Sequence, residues 1–166
     1  NGDFAWGHAV STDLLHWTIY PNMLDVESGD IEEGIFSGGA FLSKDNVPHL
    51  IYYGKGASAN LLAYATDDEL KVWKKLKTPV LKSLSPIDHV ATVCCVPPKG
   101  KYSVFDPDAW YDEESGYYYQ ISGGMKPALF KSTSMHEWKY VGSLINEDNP
   151  LCNPFEDISC PDFFSL

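Results

Sequence analysis

Two acidic sites in this chain stand beside apolar, β-forming runs rather than in polar loops. Asp106 follows Tyr102-Ser103-Val104-Phe105 and precedes Pro107, which removes a backbone donor and fixes the local turn. Glu156 and Asp157 abut the apolar stretch Ile158-Ser159-Cys160-Pro161-Asp162-Phe163-Phe164. Burial beside apolar groups raises a carboxyl pKa towards the range where a general acid works near neutral pH. Two carboxyl groups from distant parts of a chain, one acid and one nucleophile or base, are the equipment for cleaving a glycosidic bond. The plainer alternatives are a turn-forming Asp-Pro at 106 and a solvated loop before a strand at 156–157. The other acidic stretches, residues 25–33 and 112–114, read as solvated surface.

The elements that position these groups must be strands. Ala9-Val10-Ser11-Thr12-Asp13-Leu14-Leu15-His16-Trp17 has two counterparts, Ala63-Tyr64-Ala65-Thr66-Asp67-Asp68-Glu69-Leu70-Lys71-Val72-Trp73 and Leu129-Phe130-Lys131-Ser132-Thr133-Ser134-Met135-His136-Glu137-Trp138. Each runs from an apolar strand through a Ser/Thr and polar turn to a Trp, and a short strand follows. Ser, Thr and Asp suit such turns because their side chains bond nearby backbone amides. A period of about 55 to 65 residues suits a propeller blade with generous loops. Between the repeats, Ile35 to Leu42 reads as a buried strand in which Gly admits a close neighbour. His49 to Tyr53 is the next strand, residues 109–111 and 117–121 form a hairpin, and Lys126-Pro127 leads into the third repeat. Residues 69–75 could make one helical turn at most. The fold expected is all-β, with about three blades of four-stranded antiparallel sheet.

Composition narrows the partners. The chain has 166 residues, a formal net charge of −11 and a hydrophobic fraction of 44%. That is enough for a packed core, in one domain or part of a larger one. The charge disfavours nucleic acid and anionic membrane, both polyanions, and sets no barrier to a neutral sugar. The aromatic residues suit either a β-rich core or a cleft in which rings stack on sugar C–H groups. Cys94, Cys95, Cys152 and Cys160 match no zinc spacing and read as buried free thiols, with one disulfide as the alternative. No apolar run is long enough for a membrane-spanning helix, and no signal peptide is visible. The chain opens without Met and stops at Phe163-Phe164-Ser165-Leu166 inside an apparent strand, so residues 1–166 are expected to be a piece of one domain, cut at both ends.

Four blocks together resemble glycoside hydrolase family 32, the invertase, inulinase and levanase family. They are Trp6-Gly7-His8-Ala9-Val10-Ser11-Thr12-Asp13-Leu14-Leu15-His16-Trp17, Gly34-Ile35-Phe36-Ser37-Gly38-Gly39-Ala40, Phe105-Asp106-Pro107 and Ser159-Cys160-Pro161-Asp162-Phe163-Phe164. The third falls where the family has Arg-Asp-Pro, and the fourth where it has Glu-Cys-Pro. The resemblance implies a five-bladed β-propeller that hydrolyses sucrose or fructan with retention, without metal or cofactor. It assigns Asp106 to stabilising the transition state, and the nucleophile to a Trp-x-Asn-Asp-Pro-like block upstream of Trp6. On that basis the piece alone is expected to be inactive. Trp6, His8, Phe36, Ser37, Gly38, Phe105 and Cys160 would frame the fructose subsite. The substrate class implies secretion; oligomeric state stays open.

Two departures matter. Phe105 replaces the Arg of the motif, so a bidentate grip on the sugar is lost. Ser159 stands where the acid Glu is expected and cannot protonate a leaving group. Glu156 is then the first candidate for the acid and Asp157 the second. The competing readings are a propeller that binds carbohydrate without cleaving it, and an arabinan-type glycosidase.

Overall fold

The computed structural model describes residues 4–83, 102–146 and 157–164. Its strands are β1 (Trp6–Val10), β2 (Thr18–Leu24), β3 (Gly34–Leu42), β4 (Pro48–Lys55), β5 (Ala59–Ala65), β6 (Trp73–Lys75), β7 (Leu81–Lys82), β8 (Phe105–Asp112), β9 (Tyr117–Gly123), β10 (Ala128–Ser132) and β11 (Lys139–Ser143). There is no helix among the described residues. All pairings are antiparallel, in three sheets: β1-β2, β3-β4-β5-β6 with β7 added at β5, and β8-β9-β10-β11.

The three sequence repeats are the hairpins β1-β2, β5-β6 and β10-β11, the last two being the later halves of their sheets. Their turns share one geometry. Leu14, Leu70 and Met135, each three residues before the repeat's Trp, adopt positive φ of 63°, 57° and 66°. That conformation is costly for a side chain with a Cβ, and polar turn residues offset it. Ser11 Oγ accepts from the amides of Asp13 and Leu14 at 3.2 and 2.8 Å. Asp67 accepts from Lys71 and Val72, and Ser132 Oγ from Ser134 and Met135.

The sheets stack through the middle one. Successive residues of a strand face opposite ways. Leu50 and Tyr52 of β4 therefore join Leu24, Ile35, Leu61 and Ala63 in one cluster, with Trp6 and Trp73 packed against it. Ile51 joins Phe41, Leu62, Ala109 and Tyr118, and Tyr53 joins Val104, Ala128 and Phe130, on the side of the third sheet. Both faces of β4 are thus covered, which is why it reads as an unbroken apolar run. A buried polar tie crosses the second interface. Asn60 accepts from Gln120 Nε2 and donates to the Val104 carbonyl, both at 2.6 Å.

Three expectations need correction. The middle sheet has five strands, not four: β6 pairs only with Ala63 to Ala65, which leaves the edge at Ala59 and Asn60 for β7. Residues 69–75 contain a turn and β6, not a helical turn. Residues 25–33 are not all solvated. The Asp30 and Glu32 side chains are buried and share the Lys75 ammonium, and Tyr52 donates to Glu32 at 3.2 Å.

Replacing Asn60 with Ala strands the Gln120 amide and the Val104 carbonyl in a dry interior. It is expected to lower the unfolding free energy by about 2–4 kcal/mol, measured by urea or thermal unfolding.

Candidate active site

The first strands of the second and third sheets, β3 and β8, lie side by side, and each is bulged. One extra residue enters β3 between Ile35 and Gly38, and one enters β8 between Phe105 and Asp108. Bulges re-aim side chains, and Asp106, in the second bulge, has φ of 45°. Pro107 sits there because a bulge tolerates a missing ladder donor. Only glycine fits at two positions of β3: a Cβ on Gly38 would lie 1.9 Å from the Ile51 oxygen of β4, and one on Gly39 2.4 Å from Asp108 Oδ1 of β8.

Residues 157–164 complete the site. Ile158 bridges Gly124 through amide–carbonyl bonds of 2.8 and 3.2 Å. The segment then crosses the open side of β8, and Asp106 Oδ2 accepts from the Cys160 amide at 3.1 Å. Further along, Asp108 Oδ2 accepts from the Phe163 amide at 3.2 Å. Between β3, β8 and this segment lies a hollow of about 300 Å³, with Gly38, Gly39, Asp106, Asp108, Cys160 and Asp162 on its walls. Burial pushes the Asp108 carboxyl up from an ordinary 3.8 to about 6; the Phe163 amide opposes this, and the charge of Asp162 and its hydrogen bond add to it. Among the described residues, no group of three or more His, Cys, Asp or Glu side chains is placed to hold a metal ion.

Of the residues singled out from the sequence, Asp106, Gly38 and Cys160 therefore meet at one hollow. Trp6 and Phe36 lie next to one another, the indole donating to the Phe36 carbonyl at 2.9 Å. The Phe36 ring meets Phe4 edge-on at 4.7 Å, while Phe105 packs on Tyr53 at 4.5 Å. His8 faces Tyr20 at 5.3 Å, in the β1-β2 hairpin. Ser37 is exposed beside the bulge. Asp157 is exposed and accepts from Ser159 Oγ at 2.7 Å. Glu156, Cys94, Cys95 and Cys152 lie outside the described residues. Cys160 is a free thiol, exposed rather than buried as expected, because its amide and not its side chain turns to Asp106.

Sequence reading missed Asp108 and Asp162 as members of the site. The spacing from Asp106 gives no signal for Asp108, because the bulge between Phe105 and Asp108 breaks the strand alternation that would relate them.

The whole chain, residues 1–166, matches the N-terminal domain of glycosyl hydrolases family 32. It therefore belongs to that family. It is 30% identical to sucrose-6-phosphate hydrolase of Escherichia coli over 99% of this chain and 33% of that protein. It is 27% identical to levanase of Bacillus subtilis over 99% of this chain and 23% of that protein. Among solved structures, a Bombyx mori family 32 β-fructofuranosidase superposes with a TM-score of 0.69 at 25% identity, over 98% of this chain and 32% of that one. Fructan 1-exohydrolase IIa from Cichorium intybus, in complex with 1-kestose, gives 0.64 at 27% identity, over 87% of this chain and 27% of that one. The chain thus spans about a third or less of these relatives.

Two outcomes follow from the geometry. Gly39→Ala forces β3 from β8 and is expected to cost about 1–3 kcal/mol of stability, read by urea unfolding. Asp108 has a folded pKa raised above its unfolded value, so its neutral form contributes stability that is full below about 3.8 and lost as pH rises through about 6. Asp108→Asn should flatten the pH dependence of the unfolding free energy across that window.

Proposed function

We propose that the full-length protein cleaves β-fructosides, sucrose or fructan, with retention of configuration. The observation that carries this is the bond from the Cys160 amide to Asp106 Oδ2, which joins two motif blocks 54 residues apart at one hollow. Asp106 accepts hydrogen bonds from the fructosyl hydroxyls and stabilises the positive charge that develops at the anomeric carbon. The nucleophile in this reading is the Asp of a Trp-x-Asn-Asp-Pro-like block on the N-terminal side of Trp6. Glu156, or Asp157 after it, protonates the departing oxygen. Trp6, His8, Phe36, Ser37, Gly38, Phe105 and Cys160 line the approach. The stacking of the three sheets supports a five-bladed propeller, of which they form part. The acidic chain supports a neutral sugar as partner rather than nucleic acid or membrane, and a polymeric substrate places the protein outside the cell.

One second reading has an observation behind it. Phe105 packs on the Tyr53 ring where the family motif has Arg, and Ser159 bonds Asp157 where it has Glu. A propeller that binds fructans without cleaving them accounts for both.

The experiment is turnover of sucrose and 1-kestose by the full-length protein. Asp106→Asn should lower kcat roughly 10²–10³-fold, and Glu156→Gln should abolish most turnover of a substrate with a poor leaving group. Sugar binding without turnover in the unaltered protein would favour the second reading. An unchanged rate in Asp106→Asn would contradict the role given to that carboxylate.

A further inference from the structure

The hollow beside Asp106 carries charge of one sign. Asp106, Asp108 and Asp162 stand round a space of about 300 Å³, and its remaining described wall holds no Lys or His. Asp108 is 9% exposed, Asp106 is half-buried and Asp162 is exposed. Asp106 and Asp108 each accept one backbone amide, from Cys160 at 3.1 Å and from Phe163 at 3.2 Å. Backbone amides are the groups that can cradle an anion, and these two are already taken. An amide is a dipole, so it leaves the net charge of its carboxylate in place.

No cation offsets that charge among the described residues. The ion pairs between them involve Asp13, Asp30, Glu32 and Glu69, and none involves a carboxylate of the hollow. The chain has no Arg at any of its 166 positions. Phe105, which stands where the family motif has Arg, packs on the Tyr53 ring at 4.5 Å. Lys55, at the end of β4, lies over the Phe4 and Phe36 rings at 5.6 and 6.0 Å. A recess whose charges share one sign focuses their field between its low-dielectric walls.

We propose that this hollow selects neutral fructosides and rejects those whose fructosyl unit carries a phosphate, with Asp108 and Asp162 setting the discrimination. It rests on the reading that Asp106 takes the fructosyl hydroxyls. A neutral sugar meets the carboxylates as a set of hydroxyl donors, and hydrogen bonds to a charged acceptor are among the stronger ones. A phosphomonoester brings close to two negative charges and oxygens that only accept. Two charges held about 7 Å from one carboxylate, at an effective dielectric between those of a protein surface and water, weaken binding roughly 10- to 100-fold. The formal net charge of −11 repels anions from farther away as well, so the test must separate the hollow from the rest of the chain.

The test uses the full-length protein at about pH 7.5, where a phosphomonoester is close to doubly ionised. That pH lies above the value of about 6 to which burial raises Asp108. The substrates are sucrose and sucrose phosphorylated on its fructosyl unit. In the unaltered protein kcat/KM should be roughly 10- to 100-fold lower for the phosphorylated sugar, and the gap should narrow as salt rises from about 0.05 to 0.5 M. Asp108→Asn keeps an acceptor for the Phe163 amide and removes the charge, while Asp162→Lys puts a cation in place of a carboxylate. The ratio of phosphorylated to neutral turnover should rise roughly threefold in the first and roughly tenfold in the second. It is read within each variant, so a general loss of activity cancels. Equal turnover of the two sugars by the unaltered protein overturns the proposal. So does a gap that is independent of salt, or a ratio that neither substitution moves, which would assign the discrimination to shape or to the chain's net charge. If the unaltered protein cleaves no fructoside, the proposed function fails. The dissociation constants of the two sugars, read by calorimetry, then decide the discrimination: weaker binding of the phosphorylated sugar supports it, and equal affinity or binding of neither overturns it.

Discussion

The site depends on an aspartate held in a strand bulge. Asp106 reaches the hollow because β8 takes in one extra residue just where Pro107 removes a ladder bond, at a positive φ that an L-residue adopts only under constraint. Its carboxylate is then fixed by one amide from a segment more than fifty residues away. That bond joins the two motif blocks directly, and the Phe163 amide on Asp108 with the Phe163 ring on Trp110 holds the same segment against β8. The rest of the architecture serves to bring it about: Gly39 lets β3 lie close to β8, the Asn60–Gln120 tie fixes the third sheet against the second, and the Gly124–Ile158 bridge delivers the crossing segment.

Three aspartates, 106, 108 and 162, line one small space. The structure manages their repulsion by giving Asp106 and Asp108 separate amide donors and by leaving Asp162 at the solvent edge. Burial then keeps Asp108 neutral over the acid range, which leaves fewer negative charges beside the Asp106 carboxylate.

The hairpin repeats were legible because their signal is local. A Ser or Asp that bonds the next few amides and a Trp that ends the turn can be read without knowing what packs on them. The apolar run of β4 was legible for the same reason. The two-residue β7 was not, since its pairing depends on how far β6 extends along β5. The burial of Asp30 and Glu32 was hidden because their partner, Lys75, lies over forty residues downstream. Asp106 and Cys160 could be found by their motif blocks. Asp108 and Asp162 could not be weighed from those blocks, because only the crossing of residues 157–164 over β8 brings them to the walls of one hollow.

The central claim is that Asp106 faces bound sugar. A crystal structure of the full-length protein with a slowly turned-over fructoside measures this directly. The account predicts fructosyl hydroxyls at about 2.6–3.2 Å from the Asp106 carboxylate, with the Cys160 amide still on its Oδ2. A fructosyl unit seated in another cavity, with Asp106 touching only the protein backbone, would contradict it.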